Sequence, residues 1–220
     1  DHRLKEIGVL YRLSSKLARA THMDELLHLA LDSALDVLEL DAGSIVLLSP
    51  DGAELGAARV LEEFEDDVVL KASRGLSVDW LSNPLPLSRD REFDRLSLSG
   101  EVVTVENLLE DPRTLYLQQV EEEGLRSFIS AGLVFHNQPI GVMRLYSREV
   151  RCFIKVERRL LKSIAYQAAV SVEQARLLRL QEEERRMQRQ IELAGDVQQR
   201  MLPVSLPSLP GIDIAAKYVP

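Results

Sequence analysis

The sequence predicts an α+β domain with an antiparallel sheet and one long C-terminal helix. Three observations carry that expectation. Apolar residues recur at the 3.6-residue period of a helix through the first 40 residues, then change from Ser44 onward to short strand-like runs. Gly, Pro, Asn and Asp bound those runs as turn residues do. No proline lies between Pro139 and Pro203, and no glycine between Gly141 and Gly195, so about 154–201 can form a single helix.

The elements follow in order. Leu4, Ile7, Leu10, Tyr11 and Leu17 mark a first helix. Thr21 suits the N-cap of a second, with Asp24 and Glu25 in its first turn to favour the helix dipole. Its apolar stripe is Leu26, Leu27, Ala30, Leu31, Ala34, Leu35 and Leu38. Residues 44–48 read as a strand ending in the turn Pro50-Asp51-Gly52, and 68–73 as a strand closed by Arg74-Gly75. Between them 53–66, with the acidic cluster Glu62, Glu63, Glu65, Asp66 and Asp67, reads as a solvated loop or strand extension. Residues 102–105 form a third strand, and 112–123 a short helix with proline near its start. A hairpin follows: 128–135, a turn around Asn137-Gln138-Pro139, then 140–146. The helices are expected on one face of the sheet. Beyond the long helix, 203–210 is a proline-rich connector and 211–220 alternates like a strand.

Composition bounds the function. At 45% hydrophobic and 28% charged residues the chain can bury a core, which excludes wholesale disorder. A formal net charge of −8 argues against a nucleic-acid partner, which calls for a basic surface. The longest run without Asp, Glu, Lys or Arg, 127–143, contains His136-Asn137-Gln138-Pro139, so no membrane span is expected. The N-terminus lacks a signal-peptide pattern. The single cysteine, Cys152, excludes an internal disulfide framework and suits a reducing cytoplasm. Because the chain begins at Asp1 and stops at Pro220 within a strand-like run, it reads as a piece of a longer protein.

Three segments together resemble a GAF domain: GEVVTVENLLEDPR, EEGLRSFISAGLVFHNQPIGVMRLYS and ERRLLKSIAYQAAVSVEQARL. The resemblance covers about 20–180 and implies a cytoplasmic sensory module around a central antiparallel sheet, with Gly141 at the start of the second hairpin strand. A second resemblance starts where the first ends. IELAGDVQQRMLPVSLPSLPGIDIAAKYVP is similar to the start of SpoIIE/RsbU-type phosphatases of the PPM fold, with Gln198, Gln199, Arg200, Met201, Leu202 and Pro203 as the distinctive run. It implies a parent protein-serine/threonine phosphatase using Mn or Mg and acting on phosphorylated regulatory proteins. That family's Gly-Gly-Asp-Phe-like metal motif occurs nowhere here, so no catalytic residue, metal ligand or cofactor is carried over. The expected division is 1–20, an N-terminal dimerisation helix; 21–175, the GAF domain; 176–202, a coiled-coil signalling helix; and 203–220, the connector and first strand of a truncated phosphatase domain.

Site chemistry is sparse. The acidic residues of 62–67 lack histidine partners and a turn glycine, so a solvated face is the reading rather than a metal site. His2, His22, His28 and His136 are scattered, without Cys or Glu at ligand spacing. Cys152 has Arg148, Arg151 and Lys155 nearby and precedes a helix; such surroundings depress a thiol pKa and could make a redox sensor, against the plainer reading of a buried, inert thiol. The Asn-Lys-Phe-Asp-Glu signature of cyclic-nucleotide-binding GAF domains is absent, because none of Asn83, Asn107 and Asn137 is followed by Lys. Bilin attachment would need a pocket cysteine, and Cys152 falls after the hairpin. A small-molecule pocket is expected between the sheet and 76–126, with Trp80 as a flat wall, Tyr116 as a hydroxyl-bearing ring and Ser127 as a polar group; the alternative is that Trp80 and Tyr116 complete the core.

In the long helix, Leu161, Ile164, Ala165, Ala168, Val172 and Ala175 suit packing on the domain or on a partner helix. Then Leu177, Leu180, Glu184, Met187, Ile191, Ala194, Gln198 and Met201 repeat at spacings of three and four as a coiled-coil seam. Leu177, Leu180, Met187 and Ile191 are the expected homodimer and transmitter residues. The expectation is a cytoplasmic sensory and dimerisation region of a SpoIIE/RsbU-type phosphatase, itself inactive, with an unknown small-molecule ligand and with neither nucleic acid nor membrane as partner. The alternatives are the ligand-sensing module of another two-component-type signalling protein, and a ligand-free structural dimeriser. A histidine kinase would place a phospho-accepting His after the sensor, and 153–220 contains none.

Overall fold

The computed structural model describes residues 22–48, 68–82 and 92–201, together with Gly8 and Gly211 as single positions. The expected first helix, the acidic segment 53–66, the connector 203–210 and the final strand lie outside the described residues. The chain divides into two compact units, Asp1–Ala175 and Arg176–Pro220.

The first unit is built on a five-stranded antiparallel sheet. Its strands are β1 (Ala42–Leu48), β2 (Val68–Arg74), β3 (Val102–Val105), β4 (Ser127–Phe135) and β5 (Gln138–Ser147), in spatial order β2-β1-β5-β4-β3. The hairpin between β4 and β5 turns on two residues, His136 and Asn137, with φ of 46° and 67°. Positive φ at both central positions is the geometry that matches strand twist, and asparagine tolerates it. The turn is thus one residue earlier than the sequence expectation, with Phe135 paired to Gln138. Gly141 lies on β5, where an added Cβ would come within 2.4 Å of the Val46 carbonyl oxygen. Only glycine lets β1 and β5 meet so closely there.

Two long helices cover one face of the sheet. Helix α1 (Met23–Leu38) buries Leu27, Leu31, Ala34 and Leu38 on one stripe. The long C-terminal helix begins at Lys155, and its residues Leu161, Ile164, Ala165, Ala168 and Val172 are fully buried. They pack with Ile45, Leu47, Ala72, Ile129, Leu133, Met143 and Leu145 from the strands in a single apolar cluster. The N-cap of α1 is His22, which makes no side-chain cap bond, so the capping role expected of Thr21 is corrected. At the start of the C-terminal helix the Glu157 carboxylate accepts the Ile154 N–H at 2.8 Å, as in a capping box.

The other face is covered as well, which corrects the expectation of helices on one face. Its covering pieces are short: α2 (Val78–Ser82), α3 (Glu92–Leu98) and α4 (Leu117–Glu122). Helix α4 starts five residues later than expected. Asp111 accepts the Arg113 N–H at 2.9 Å in an Asx turn, the Thr114 N–H bonds the Asp111 carbonyl at 3.0 Å, and Tyr116 takes a left-handed φ of 61°. These local bonds hold 111–116 out of a helix. Helices α2 and α3 have no counterpart in the sequence reading. The C-terminal helix, α5 (Lys155–Met201), has the expected length and tolerates Gly195, which has open space around it.

In the second unit, residues 177–194 of the helix are exposed. Leu177, Leu180, Met187 and Ile191 are each more than half accessible, as are Leu178 and Leu193. Arg179 and Glu183 pair at 3.1 Å along the helix surface, a contact worth a few tenths of a kcal/mol, or about 0.3–0.5. Among the described residues, no helix is long and apolar enough to cross a membrane.

Candidate functional site

A strand buried on both faces carries two different sets of side chains, because successive residues point in opposite directions. On β5, Met143 and Leu145 join the apolar cluster under α1 and α5, while Arg144 and Tyr146 stand on the second face. Their cross-strand neighbours continue the pattern: Ser44 and Ser130 flank Arg144, and Ala42 and Phe128 flank Tyr146. A polar row, Ser44-Arg144-Ser130, therefore crosses the middle of the sheet beside an aromatic one.

Helix α3 lies over that row. Asp94 reaches Arg144 with its Oδ1 2.7 Å from Nη2, and both residues are buried. The Ser97 hydroxyl lies 2.6 Å from the Ser130 hydroxyl, also buried. Gly132 makes the approach possible, since an added Cβ would sit 2.0 Å from the Ser97 carbonyl oxygen. Burial works against the charge on Arg144, but the adjacent Asp94 carboxylate, with Tyr146, outweighs it and holds the guanidinium above its ordinary pKa. The guanidinium thus stays charged in the interior.

A cavity of about 50 Å³ opens beside this pair. Four aromatic rings line it in a chain of contacts: Phe93 to Phe128 at 5.5 Å, Phe128 to Tyr146 at 5.3 Å, and Tyr146 to Trp80 edge-on at 5.9 Å. Trp80 is held by α2, whose first turn is capped by the Ser77 hydroxyl accepting the Trp80 N–H at 3.1 Å. The lining also includes Asp94, Arg144, Arg113 and Thr114. Arg113 lies 4.9 Å over the Phe93 ring and is clasped by Asp111 through Nε and Nη2, at 2.9 and 2.6 Å. That hydrogen bonding holds the Asp111 carboxyl below the usual carboxylate range. Thr114 Oγ1 is buried and has no hydrogen-bond partner.

The residues singled out from sequence fall in different places. Trp80 is on the cavity wall. Tyr116, at the N-cap of α4, is 52% exposed and is not among the lining residues, although its neighbours Thr114 and Leu115 are. Ser127 is fully buried; its hydroxyl lies 2.7 Å from the Glu106 carbonyl and 2.8 Å from that of Glu149, and accepts the Arg151 N–H at 2.8 Å. It ties the start of β4 to the segment before α5 and lies away from the cavity.

Cys152 is exposed, which corrects the plainer reading of a buried thiol, and its thiol pKa is raised, the reverse of the depression that a redox sensor would need. A hydrogen bond to the Glu106 carboxylate is the main cause, followed by desolvation and the same carboxylate's charge. The basic neighbours face elsewhere: Arg148 donates to the Glu123 and Gly75 carbonyls, and Arg151 to the Leu38 and Glu39 carbonyls and the Glu157 carboxylate. Among the described residues, no group of three or more His, Cys, Asp or Glu is placed to hold a metal ion.

Comparison with known proteins places this geometry. A family profile described as "GAF domain" matches residues 20–173. The fold is similar to that of a GAF domain from a phosphoenolpyruvate-protein phosphotransferase of Coxiella burnetii, with a TM-score of 0.63 at 16% identity, covering 79% of this chain and 96% of that one. It is also similar to free methionine-R-sulfoxide reductase from Neisseria meningitidis, solved with its substrate (TM-score 0.59, 17% identity, 81% and 94% covered). A third likeness is to a domain described as belonging to a two-component sensor histidine kinase of Sinorhizobium meliloti 1021 (TM-score 0.56, 22% identity, 70% and 93% covered). No curated sequence matches the chain.

Proposed function

This chain belongs to the GAF domain family, and on that premise we propose that it is the sensory and dimerisation region of a SpoIIE/RsbU-type protein-serine/threonine phosphatase, with the second-face cavity as its ligand site. In this reading 21–175 senses, 1–20 and 176–202 dimerise and transmit, and 203–220 leads into the phosphatase domain. The phosphatase, with its Mn or Mg, acts on phosphorylated regulatory proteins in the cytoplasm. Residues 1–220 contribute no catalytic group.

The observation that carries the reading is the change of character along α5. Its residues Leu161, Ile164, Ala165, Ala168 and Val172 are core, whereas Leu177, Leu180, Met187 and Ile191 are exposed at seam spacing. In sequence the helix then runs into Gln198-Gln199-Arg200-Met201-Leu202-Pro203. Exposed apolar residues repeated at three and four are covered economically by a second copy of the same helix. A parallel pair would hold two phosphatase domains side by side, where a small bias in helix packing reaches both.

Light scattering at tens of micromolar tests the dimer. The chain should run at twice its 24.8 kDa mass, and Leu180→Asp with Ile191→Asp should shift it to monomer while leaving the GAF fold intact. A monomeric unmodified chain, or a double variant that stays dimeric, contradicts the transmitter role. For the phosphatase, the full-length gene product should release phosphate from a phosphoserine protein in manganese, and residues 1–220 alone should release none. An inactive full-length product contradicts that assignment.

A further inference from the structure

We propose that the cavity takes a small monocarboxylic acid, whose carboxylate replaces that of Asp94 on the Arg144 guanidinium. The inference rests on the cavity being a ligand site and adds the chemical class of the ligand.

Four features converge. First, the cavity wall contains a buried guanidinium, and the carboxylate that neutralises it comes from α3, a helix of only seven residues. Asp94 thus occupies the position that a ligand carboxylate would take. Second, exchanging one carboxylate for another keeps the interior charge balanced provided that the displaced Asp94 carboxylate moves out to water, whereas a neutral or cationic ligand gains nothing from Arg144 while Asp94 stays in place. Third, the other guanidinium in the lining, Arg113, is already held by Asp111 at two nitrogens, with Glu92 a further 3.7 Å contact. One exchangeable site favours a single carboxylate over a diacid or a phosphate ester. Fourth, the four-ring chain offers an apolar wall, and the partnerless Thr114 Oγ1 offers a hydrogen bond to a polar atom of the ligand. The cavity of about 50 Å³ suits only a compact body.

The exchange also has a mechanical consequence. Asp94 and Ser97 are both polar contacts of α3 with the sheet, one to Arg144 and one to Ser130. A ligand that takes Arg144 releases the first, so α3 is the element whose packing the ligand changes.

Acetate, isobutyrate and benzoate, each beside its amide, are the probes. Calorimetry and thermal unfolding would be run on the unmodified chain, on Asp94→Asn, and on Asp94→Asn with Arg144→Met. At least one acid should bind the unmodified chain in preference to its amide. Asp94→Asn removes the internal competitor, so that acid should bind about tenfold tighter or more, roughly one step of 1.4 kcal/mol, and should restore the thermal stability the substitution removes. If Asp94→Asn fails to fold unaided, its refolding yield in acid against amide reads the same rescue. The double variant, with neither charge, should fold without ligand and show no preference for acid. Acid and amide binding alike would overturn the carboxylate assignment and leave the ligand cavity standing. Absence of both binding and rescue would overturn the assignment as well, as would an acid preference that survives in the double variant.

Discussion

The two faces of the sheet are made from the same five strands and do opposite things. Under α1 and α5 the strands present Ile45, Ile129, Met143 and Leu145, and the layer closes as a dry apolar core. One residue further along, the same strands present Ser44, Ser130 and Arg144. Among the described residues, five of the eight buried polar ones, Ser44, Asp94, Ser97, Ser130 and Arg144, belong to this second layer. Its covering helices are five to seven residues long, against sixteen for α1. A buried ion pair contributes little net stability compared with apolar packing of similar volume. The first face supplies the stability that lets the second keep a cavity, an orphaned hydroxyl and an ion pair able to exchange.

Substitutions can break or sharpen this contrast, and the largest effect belongs to the second face. Asp94→Ala removes the carboxylate that pairs with the buried Arg144 and should cost about 3–5 kcal/mol in urea unfolding, whereas replacing both charges should recover most of it. On the first face, Leu31→Ala should cost about 2–5 kcal/mol through a buried cavity, with no change in acid binding. If Leu31→Ala alters ligand affinity as strongly as it alters stability, the faces are not independent. Gly132→Ala should cost about 1–3 kcal/mol, because the new methyl group drives the Ser97 carbonyl, and α3 with it, off the sheet.

The smallest effect lies at the rim of the cavity. Asp111 has a folded-state pKa depressed chiefly by its hydrogen bonds from Arg113. Its contribution is therefore present above the unfolded carboxylate pKa and is lost as pH falls through the lowered folded value. Asp111→Asn should cost about 1 kcal/mol or less near neutrality, and the difference from the unmodified chain should vanish in strong acid. Urea midpoints across that range read it directly, and a difference that grows on acidification would reverse the assignment.

Much of the first face was legible in the sequence, and little of the second. The stripe Leu26 to Leu38 and the pair Ile164 and Ala168 have helical period, and the hairpin has alternating strands about a turn, so local pattern and tertiary packing agree. Helix α3 was not legible because Glu92, Asp94, Arg95 and Ser97 make four of its seven residues polar, and Asp94 and Ser97 are buried only through tertiary partners. Trp80 was reachable as the single tryptophan. Arg144 did carry a signal: it is a charged residue between Met143 and Leu145, in a strand that is buried from Ile140 to Ser147. Residue type and sequence position alone point to Tyr116 and Ser127. Type and position do not reveal that one would sit at a left-handed cap and the other would bond two carbonyls. The Cys152 environment misled because sequence neighbours need not be spatial ones, and Glu106 arrives from 46 residues away.

The division between the faces can be read in one titration. Backbone amide shifts of the unmodified chain would be followed while sodium acetate is added, with acetamide as the matched control. Acetate-specific shifts are expected at Trp80, Phe93 to Ser97, Thr114, Phe128 to Ser130 and Arg144 to Tyr146, with Leu27, Leu31, Ile164 and Ala168 unmoved. Shifts centred on α1 and the first turns of α5, or spread evenly over both layers, would contradict it.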